Sequence, residues 1–390
     1  MKTLWKVLSY LLVAVLASAV TLAAVVYVPG FAPGYAAGGS SKLEQLKDML
    51  VEMYIGGADE TVLEDAAAEA MVAATGDRWS YYIPADQYQA YVETMQNAYV
   101  GIGVTIQAAE DGSGFLIIKV SEGGSAEEAG VQPGDVIVAI EGESAAGMDA
   151  DQAKNLVRGK ENTVVNITFR RGEETFDLPI VRKTVEVAVA VGTMLEGNVG
   201  LITITNFDMR CASETIAAIE ALTEQGAKAL IFDVRNNPGG YARELVKVLD
   251  HLLPEGELFR TVDYQGNVSV DKSDAACLDI PMAVLVNGES YSAAEFFAAA
   301  LKDYDAAIVV GEKTCGKGYY QVNYPLNDGS AVSISIGEYF TPKGENLANV
   351  GVTPDIIVEV DEDTFMAIYA GTLDPMEDPQ ILAALEVLKN

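Results

Sequence analysis

The apolar positions in the second half of the chain alternate between two periods. Short apolar runs predict strands, and the segments between them carry the three-to-four-residue spacing of helices. The elements predicted in chain order are strand 199–205, helix 214–222, strand 227–234, helix 241–253 and strand 282–287. Ser292 then opens an alanine-rich helical pattern that continues to about Lys302, and another apolar run covers 306–310. Strands alternating with helices predict an α/β layer with right-handed crossovers.

The first half of the chain has a different pattern. Helical spacing predicts three helices, at 42–54, 61–74 and 85–96. After residue 99 glycine turns separate short alternating stretches, and the clearest predicted strands are 136–140 and 164–170.

The N-terminus carries the longest apolar run of the chain. Residues 7–28 are 22 consecutive positions without a charge, and they follow Lys2 and Lys6. This run is long enough to cross a bilayer, and lysines on the cytoplasmic side place the rest of the chain outside. We therefore predict a single-pass anchor at 1–28 and a flexible linker at 29–41, rich in Gly, Ala, Pro and Ser. Signal-peptide cleavage at 17–19 is the alternative.

Composition narrows the possible ligands and the redox chemistry. The chain of 390 residues has a formal net charge of -32, which argues against nucleic acid and anionic membrane surfaces as partners. Three cysteines are too few for a disulfide framework.

The candidate chemistry lies around Ser292. A serine hydroxyl is a weak nucleophile that needs a neighbouring base. The single histidine, His251, falls on the predicted solvent-facing side of its helix with Glu244 and Lys247, so a Ser-His-Asp triad is not indicated. Lys317 can act instead if burial keeps its amine neutral.

Two glycines flank Lys317, and an alternating strand comes directly after it. In a strand Lys317, Tyr319 and Gln321 share one face, so the Gln321 amide could orient the amine without charging it. This predicts a Ser-Lys dyad with an orienting glutamine.

The same residues have competing interpretations. Ser292 and Glu295 form a capping-box pattern, which would make the serine structural. Residues 311–317 fit a phosphate-binding loop, but Gly318 replaces the hydroxyl that binds Mg²⁺ and the next element is a strand. Cys315 is a conceivable thiol nucleophile, although packing is the simpler role.

Segment 290–295, with Lys317 25 residues after Ser292 and Gln321 four residues further on, resembles the active-site region of the C-terminal processing peptidases, also called tail-specific proteases. The resemblance implies a ClpP/crotonase-like α/β catalytic domain at 184–390 with Ser292 as nucleophile. This sequence departs from the family pattern at Tyr291 and Ala294. Neither change removes a catalytic atom, though Tyr291 can alter the pocket beside the nucleophile.

Residues 233–240 resemble another segment of the family, a strand that leads into a turn with two glycines. Glycines at a helix start expose backbone N–H groups, which a tetrahedral intermediate needs. The predicted oxyanion hole consists of the Ala293 N–H with that of Gly240, or of Gly239 if the turn is set differently.

Residues 99–183 resemble a PDZ domain, a β-rich module that precedes the catalytic domain. Gly101, Ile102, Gly103 and Val104 match its carboxylate-binding loop, and 129–135 match a second motif. Backbone N–H groups of such a loop bind a peptide's terminal carboxylate, and the next strand can pair with the peptide.

The helical region 42–98 resembles the N-terminal arm of the family, in which Asp77, Ser80 and Tyr82 precede the PDZ domain. Such an arm supports self-association, which implies a possible homo-oligomer. Further family-like segments are 339–344, 351–356 and 378–388.

Together these features predict a single-pass cell-membrane protein with an extracytoplasmic serine endopeptidase. Its expected substrates are protein chains with exposed C-termini, and its chemistry calls for no metal and no cofactor. The alternative is a non-catalytic PDZ receptor on a degenerate protease fold.

Overall fold

The computed structural model describes residues 41–121 and 123–389, and they form two units divided after Gly76. The predicted anchor at 1–28, and all but the last residue of the predicted linker, lie outside the described residues. Within the part that is described, no helix is both long and apolar enough to cross a bilayer.

The first unit contains a pair of helices, α1 (Lys42–Met53) and α2 (Glu60–Ala73), which match the predicted positions to within one residue. Ser41 caps α1 in a reciprocal capping box with Glu44, and Asp59 caps α2. The Lys47 ammonium joins the two helices through carboxylates of α2, at 2.6 Å each. Neither helix has a buried residue, so their apolar side chains remain accessible within this unit.

The second unit opens with a short strand, a helix and a β-rich region. The elements are β1 (Tyr81–Ile83), α3 (Ala85–Met95), β2 (Ala98–Gly101), β3 (Val104–Ala108), β4 (Phe115–Val120), α4 (Ser125–Glu128), β5 (Val136–Ile140), β6 (Glu143–Ser144), α5 (Ala150–Val157), β7 (Val164–Arg171), β8 (Glu174–Val181) and β9 (Lys183–Glu186). Six strands form an antiparallel sheet, in the order β3-β4-β5-β7-β8 with β6 paired to β5, and β2 pairs with β9. This region has its own core, which includes Phe115, Ile137 and Phe169. Its edge strand β3 comes directly after the predicted carboxylate-binding loop.

A mainly parallel sheet occupies the second half. Its elements are β10 (Ala190–Leu195), β11 (Val199–Ile204), α6 (Cys211–Glu224), β12 (Ala229–Asp233), α7 (Ala242–Leu252), β15 (Met282–Val286), α8 (Ala293–Asp303), β16 (Ala307–Gly311), β19 (Ile356–Ile357), α9 (Glu362–Tyr369) and α10 (Pro379–Val387). The strand order is β10-β11-β12-β15-β16-β19, with only β10 antiparallel to its neighbour.

Both faces of this parallel sheet are covered. One face of β12 and β15 packs in the core that contains α6, α7 and α8, and the other face packs against Ile381, Ala384 and Leu385 of α10. Strands buried on both faces are near-continuous apolar runs, which is why their positions were predictable from sequence.

A second, antiparallel sheet was not predicted from sequence except at its strand after Lys317. It contains β13 (Gly256–Asp263), β14 (Val268–Ser273), β17 (Tyr319–Pro325) and β18 (Ala331–Phe340), together with β1. Strand β18 pairs with β17 and, at Tyr81↔Ser333, with β1. The chain that precedes the β-rich region is thereby held beside β18, the strand that also pairs with β17 after Lys317.

Candidate active site

Ser292 occupies a strained backbone position. It is the N-cap residue of α8, between the end of β15 and the helix, with φ 58° and ψ −124°. A positive φ at a non-glycine residue costs energy and persists where the surroundings enforce it, often in active sites. The Ser292 side chain makes no hydrogen bond to the helix start, so the predicted capping box is wrong.

Glu295 does not turn back toward Ser292 because it has better partners elsewhere. Its buried carboxylate accepts hydrogen bonds from the Thr314 hydroxyl and from the N–H groups of Gly316 and Lys317, at 2.7 and 2.9 Å for the two backbone donors. Burial raises the pKa of Glu295, and the three hydrogen bonds oppose that shift. The carboxylate fixes the lysine loop to the helix that Ser292 begins.

Ser290 ties the turn before Ser292 to its neighbours. Its hydroxyl donates to the Val234 carbonyl at 2.7 Å and accepts from the Asn287 N–H at 3.0 Å. The Ser290 carbonyl accepts from the Cys315 N–H at 3.2 Å, and the Tyr291 N–H donates to the Asn237 carbonyl at 3.2 Å. The serine turn, the lysine loop and the glycine turn are therefore bonded to one another.

Gly239 lies directly against the serine turn. Its φ is +92°, and a Cβ there would lie 2.6 Å from the Ser292 Cβ and 2.8 Å from the Ala293 nitrogen. Its N–H already donates to the Asn237 side chain at 2.8 Å. Only glycine can occupy this position, but its N–H is engaged.

Gly240 differs from Gly239 in what its N–H contacts. The backbone groups on either side of the Gly240 N–H bond to Phe207. The Gly239 carbonyl accepts from the Phe207 N–H, and the Tyr241 N–H donates to the Phe207 carbonyl, each at 2.7 Å. Among the described residues the N–H groups of Gly240 and Ala293 have no hydrogen-bond acceptor. Of the two glycines predicted for an oxyanion site, Gly240 is the one with an available donor.

A buried ionic network supports the glycine turn. Arg235 bonds the Asp233 carboxylate at 2.6 Å, Asp378 at 2.7 Å and the Gln380 side-chain oxygen at 2.9 Å. Burial lowers the pKa of Arg235, but the two carboxylates outweigh it and raise the pKa overall. Because Asp378 also caps α10, the network connects α10, the last helix described, to the glycine turn.

Lys317 lies in the loop just before β17. Its carbonyl accepts a hydrogen bond from the Tyr339 hydroxyl, and its Nζ lies 4.9 Å from the centroid of the Trp79 ring. Burial lowers its pKa from 10.5 to about 8, and the charges of Asp77, Cys315 and Glu295 partly oppose the shift. No hydrogen bond joins its Nζ to the Ser292 hydroxyl among the described residues.

The predicted contact between Gln321 and Lys317 is not formed. The Gln321 amide donates to the Tyr319 carbonyl at 3.2 Å and to the Ser335 hydroxyl at 2.9 Å. Lys317 precedes the strand, which begins at Tyr319, and the strand register shifts between Tyr320 and Gln321. The simple alternation assumed from sequence therefore fails at this point.

Asp77 belongs to a family motif in the sequence, but it was not predicted to lie at the site. Asp77 accepts hydrogen bonds from the Ser80 hydroxyl at 2.6 Å and from the Trp79 N–H at 3.0 Å, and Ser335 also bonds it. Partial burial raises the pKa of Asp77, but these hydrogen bonds and Lys317 lower it overall. Trp79 itself was missed, because no local pattern links it to residues more than 200 positions away.

His251 has no role at this site. It lines a separate cavity together with Glu244, Lys247 and Cys277, and Ser292 is not part of that cavity. Glu244 is 2% exposed, so its predicted place on the solvent-facing side of the helix is wrong. Its carboxylate bonds the Lys247 ammonium at 2.7 Å, which explains why a charge is tolerated there.

The loop at Gly101 to Val104 borders a groove of the β-rich region. The carbonyls of Ile102 and Gly103 accept hydrogen bonds from within the region, at 2.9 Å each, while neither N–H has an acceptor among the described residues. The groove is lined mostly by apolar side chains: Ile102, Val104, Ile106, Ile137, Ile140, Ala153 and Val157.

Comparison with known proteins tests the resemblance directly. A model of Peptidase family S41 matches residues 198–358, and a PDZ-domain model matches residues 116–171. The chain is 33% identical over 360 residues to the carboxy-terminal processing protease CtpA of Bacillus subtilis (strain 168), covering 90% of this chain and 76% of that protein. It is 33% identical over 323 residues to a probable CtpA-like serine protease of Staphylococcus aureus (strain N315), covering 82% of this chain and 64% of that one.

One solved structure supports the fold. A putative S41 protease from Bacteroides fragilis NCTC 9343 superposes with a TM-score of 0.52 at 17% identity, covering 90% of this chain and 98% of that one. The predicted resemblance is thus confirmed, and with it the S41 protease fold carrying a PDZ domain. The chain belongs to the C-terminal processing peptidases of Peptidase family S41 and is a serine peptidase.

Proposed function

We propose that this serine peptidase cleaves protein chains with exposed C-termini, using Ser292 as nucleophile and Lys317 as general base. The observation that carries the proposal is the hydrogen bonding of the Glu295 carboxylate. It bonds the N–H of Lys317 at 2.9 Å from the helix that Ser292 begins, and it ties the lysine loop to the strained serine turn.

The reaction uses the groups available at the site. The neutral Lys317 amine takes the hydroxyl proton as the Ser292 oxygen attacks the scissile carbonyl. The oxygen of the tetrahedral intermediate accepts hydrogen bonds from the free N–H groups of Ala293 and Gly240. Lys317 then protonates the leaving amine, and water hydrolyses the acyl-enzyme by the same proton transfers in turn.

Before the attack, the Lys317 amine comes within hydrogen-bonding distance of the Ser292 hydroxyl. Catalytic hydrogen bonds often tighten only when substrate binds, so this step is consistent with a free enzyme. In this mechanism Gln321 orients the base indirectly, since its amide bonds Ser335, which in turn bonds the Asp77 carboxylate that interacts with Lys317.

The PDZ domain supplies substrate recognition in this proposal. A terminal carboxylate binds the free N–H groups of Ile102 and Gly103, and the peptide pairs with the edge strand β3. The apolar lining of the groove favours an apolar C-terminal side chain.

The cellular setting is proposed from sequence. The uncharged run at 7–28, preceded by Lys2 and Lys6, supports a single-pass anchor with the peptidase outside the cytoplasm. The exposed apolar side chains of α1 and α2 support self-association through the arm at 42–98. The boundaries at 99, 183 and 184 remain predictions.

The test uses Ser292→Ala and Lys317→Ala, each assayed on an unfolded protein substrate. Both variants are expected to lose cleavage, and a fluorophosphonate probe mapped by mass spectrometry should label Ser292 in the parent protein. Wild-type turnover in either variant would rule out the dyad. Binding of C-terminal peptides without any cleavage by the parent would instead favour the non-catalytic PDZ receptor.

A further inference from the structure

Trp79 contacts both sides of the candidate active site. The Lys317 Nζ lies 4.9 Å from its ring centroid, and the Tyr291 ring, adjacent to Ser292 in sequence, lies 5.7 Å away at a tilt of 36°. Tyr291 is one of the two positions at which this sequence departs from the family pattern. One indole thus bridges the candidate base and the residue before the candidate nucleophile.

The segment that carries Trp79 is held in place by hydrogen bonds of its Ser80 hydroxyl and by strand pairing, neither of which involves the indole. Its Ser80 hydroxyl donates to Asp77 at 2.6 Å and accepts from the Ser335 N–H at 2.9 Å, and β1 continues the pairing with β18. The Arg78 guanidinium lies 4.2 Å from the indole centroid and donates to the Cys315 sulfur at 3.4 Å. The ring is therefore anchored to the lysine loop and to the strand beside Gln321.

We propose that Trp79 is a positioning residue of the peptidase, which covers the Lys317 amine and holds it, through Tyr291, next to the serine turn. The inference rests on the Ser-Lys site proposed above. It adds that the segment before the PDZ domain completes the catalytic centre.

An indole beside an amine has two opposing effects on the protonation of the amine. The ring face attracts an ammonium and favours the charged form, whereas covering the amine excludes water and disfavours that form. The charged or titratable groups around Lys317 are Asp77, Cys315 and Glu295, and Arg78 lies on the same indole. The Tyr339 hydroxyl donates to the Lys317 carbonyl. Burial is the largest effect on the pKa of this amine, so we expect covering by the ring to outweigh its attraction.

The first experiment separates covering from attraction with three variants in the full chain. Trp79→Ala opens the amine to water, Trp79→Leu keeps an apolar cover without a ring, and Trp79→Phe keeps a smaller ring. Tyr81→Ala is the matched control, because it removes an aromatic side chain from the same segment that contacts Tyr91 instead.

The measured quantity is kcat/KM across pH on an unfolded protein substrate. Trp79→Ala should raise the kinetic pKa of the base by about 1, with a roughly tenfold loss near neutral pH that recovers at high pH. Trp79→Leu and Trp79→Phe should keep the kinetic pKa near the parent value, as should Tyr81→Ala. An unchanged kinetic pKa in Trp79→Ala, or the same rise in Trp79→Leu, overturns the proposal.

A second experiment needs no catalysis and covers the case in which Trp79→Ala does not fold. The chain has two tryptophans, so Trp5→Phe in the full chain leaves Trp79 as the single indole. Its fluorescence should titrate with a midpoint near the Lys317 pKa of about 8, and Lys317→Met should abolish that titration. The proposed contact is wrong if the fluorescence still titrates in the Lys317→Met variant, or if it does not titrate in the Trp5→Phe protein.

The two proposals can fail separately. If the fluorophosphonate probe does not label Ser292 but the Trp79 fluorescence still follows the protonation of Lys317, the proposed mechanism is wrong and the Trp79 contact stands. If Ser292 is labelled and the indole does not respond to Lys317, the mechanism stands and the role of Trp79 is wrong.

Discussion

The Glu295 carboxylate accepts a hydrogen bond from the Lys317 N–H at 2.9 Å, although 22 residues separate the two along the chain. The same carboxylate accepts from Thr314 and Gly316. An acid in the first turn of the serine helix is thus the structural link to the loop that carries the lysine.

Replacing Glu295 should therefore affect catalysis through the position of Lys317. Glu295→Ala removes the acceptor of the buried Gly316 N–H and of the part-buried Lys317 N–H, so we expect the free energy of unfolding to fall by about 2–4 kcal/mol. We also expect kcat to fall by about 10²-fold, because a misplaced base costs more than a lost contact. Glu220→Ala, at an exposed position of α6, is the control for removing a helical acid.

Denaturant unfolding and steady-state kinetics measure these two effects. Glu295→Gln keeps one acceptor oxygen and should be intermediate in both measurements. Full activity in Glu295→Ala would mean that Lys317 does not depend on this carboxylate.

The pH dependence is set by the lowered pKa of Lys317. A general base acts when unprotonated, so kcat/KM should rise as pH increases through about 8 and then level off. Lys317→Arg should be inactive at every pH up to about 10, because a guanidinium stays charged. A pH-rate profile of the parent protein that falls through this range would contradict the assignment of Lys317 as base.

The same pKa shift has a consequence for stability. The Lys317 pKa is lower in the folded state, about 8, than its ordinary value of 10.5. Between these pH values the Lys317 side chain binds more protons in the unfolded chain than in the folded one, so its contribution makes stability rise with pH. The free-energy cost of burying the charged lysine is fully present below pH 8. Lys317→Met should therefore increase the free energy of unfolding below pH 8 by up to about 3 kcal/mol.

Urea unfolding at two pH values tests this stability effect. The gain from Lys317→Met should shrink at about pH 10, where the folded lysine is neutral and the unfolded one is losing its proton. Lys302→Met is the matched control, since that ammonium is partly exposed and bonded to Asp355 at 2.8 Å. A gain that is equal at both pH values would show that packing, and not desolvation, is responsible.

Glycine variants test the close approach at the serine turn. A Cβ at Gly239 would lie 2.6 Å from the Ser292 Cβ, so Gly239→Ala should displace the turn and lower kcat by about 10²–10³-fold. Gly226→Ala is a matched control, because its φ of +95° is nearly the same as the +92° of Gly239 while the space around it is open. It should cost only about 1 kcal/mol of stability and leave kcat unchanged.

Labelling of Ser292 by a fluorophosphonate gives the readout for these two glycine variants. Gly226→Ala should react at the parent rate, and Gly239→Ala should react slowly even where it is fully folded by circular dichroism. Equal labelling rates would place the glycine turn outside the site.

The parallel sheet could be predicted well from sequence, whereas the contacts around Lys317 could not. Strand β15 is apolar at every position and β12 is apolar up to Asp233 at its end, a signal that needs no knowledge of the partner strand. The pairing of β1 with β18 has no such local signal, so the approach of Trp79 to Lys317 could not be predicted. At Glu295 the local capping pattern was present, but the buried N–H groups of the lysine loop competed for the carboxylate.

The last prediction concerns the ionic network behind the glycine turn. Asp378→Ala leaves the buried Arg235 with one carboxylate, Asp233, and also removes the cap of α10. Arg235 stays paired with Asp233, so the network loses one charge-assisted hydrogen bond, worth about 1.5–3 kcal/mol, in addition to the cap, which alone costs about 1 kcal/mol. Asp361→Ala supplies the control, because Asp361 caps α9 through the Thr364 N–H at an exposed position.

Thermal and urea unfolding should thus separate Asp378→Ala from Asp361→Ala by about 1.5–3 kcal/mol. Because Arg235 adjoins the turn that contains Gly240, Asp378→Ala should also lower kcat, while Asp361→Ala should not. Adding Arg235→Met to Asp378→Ala should lower the stability further, since it leaves the buried Asp233 carboxylate without its cation. A double variant as stable as Asp378→Ala would mean that the remaining pair with Asp233 does not stabilise the turn.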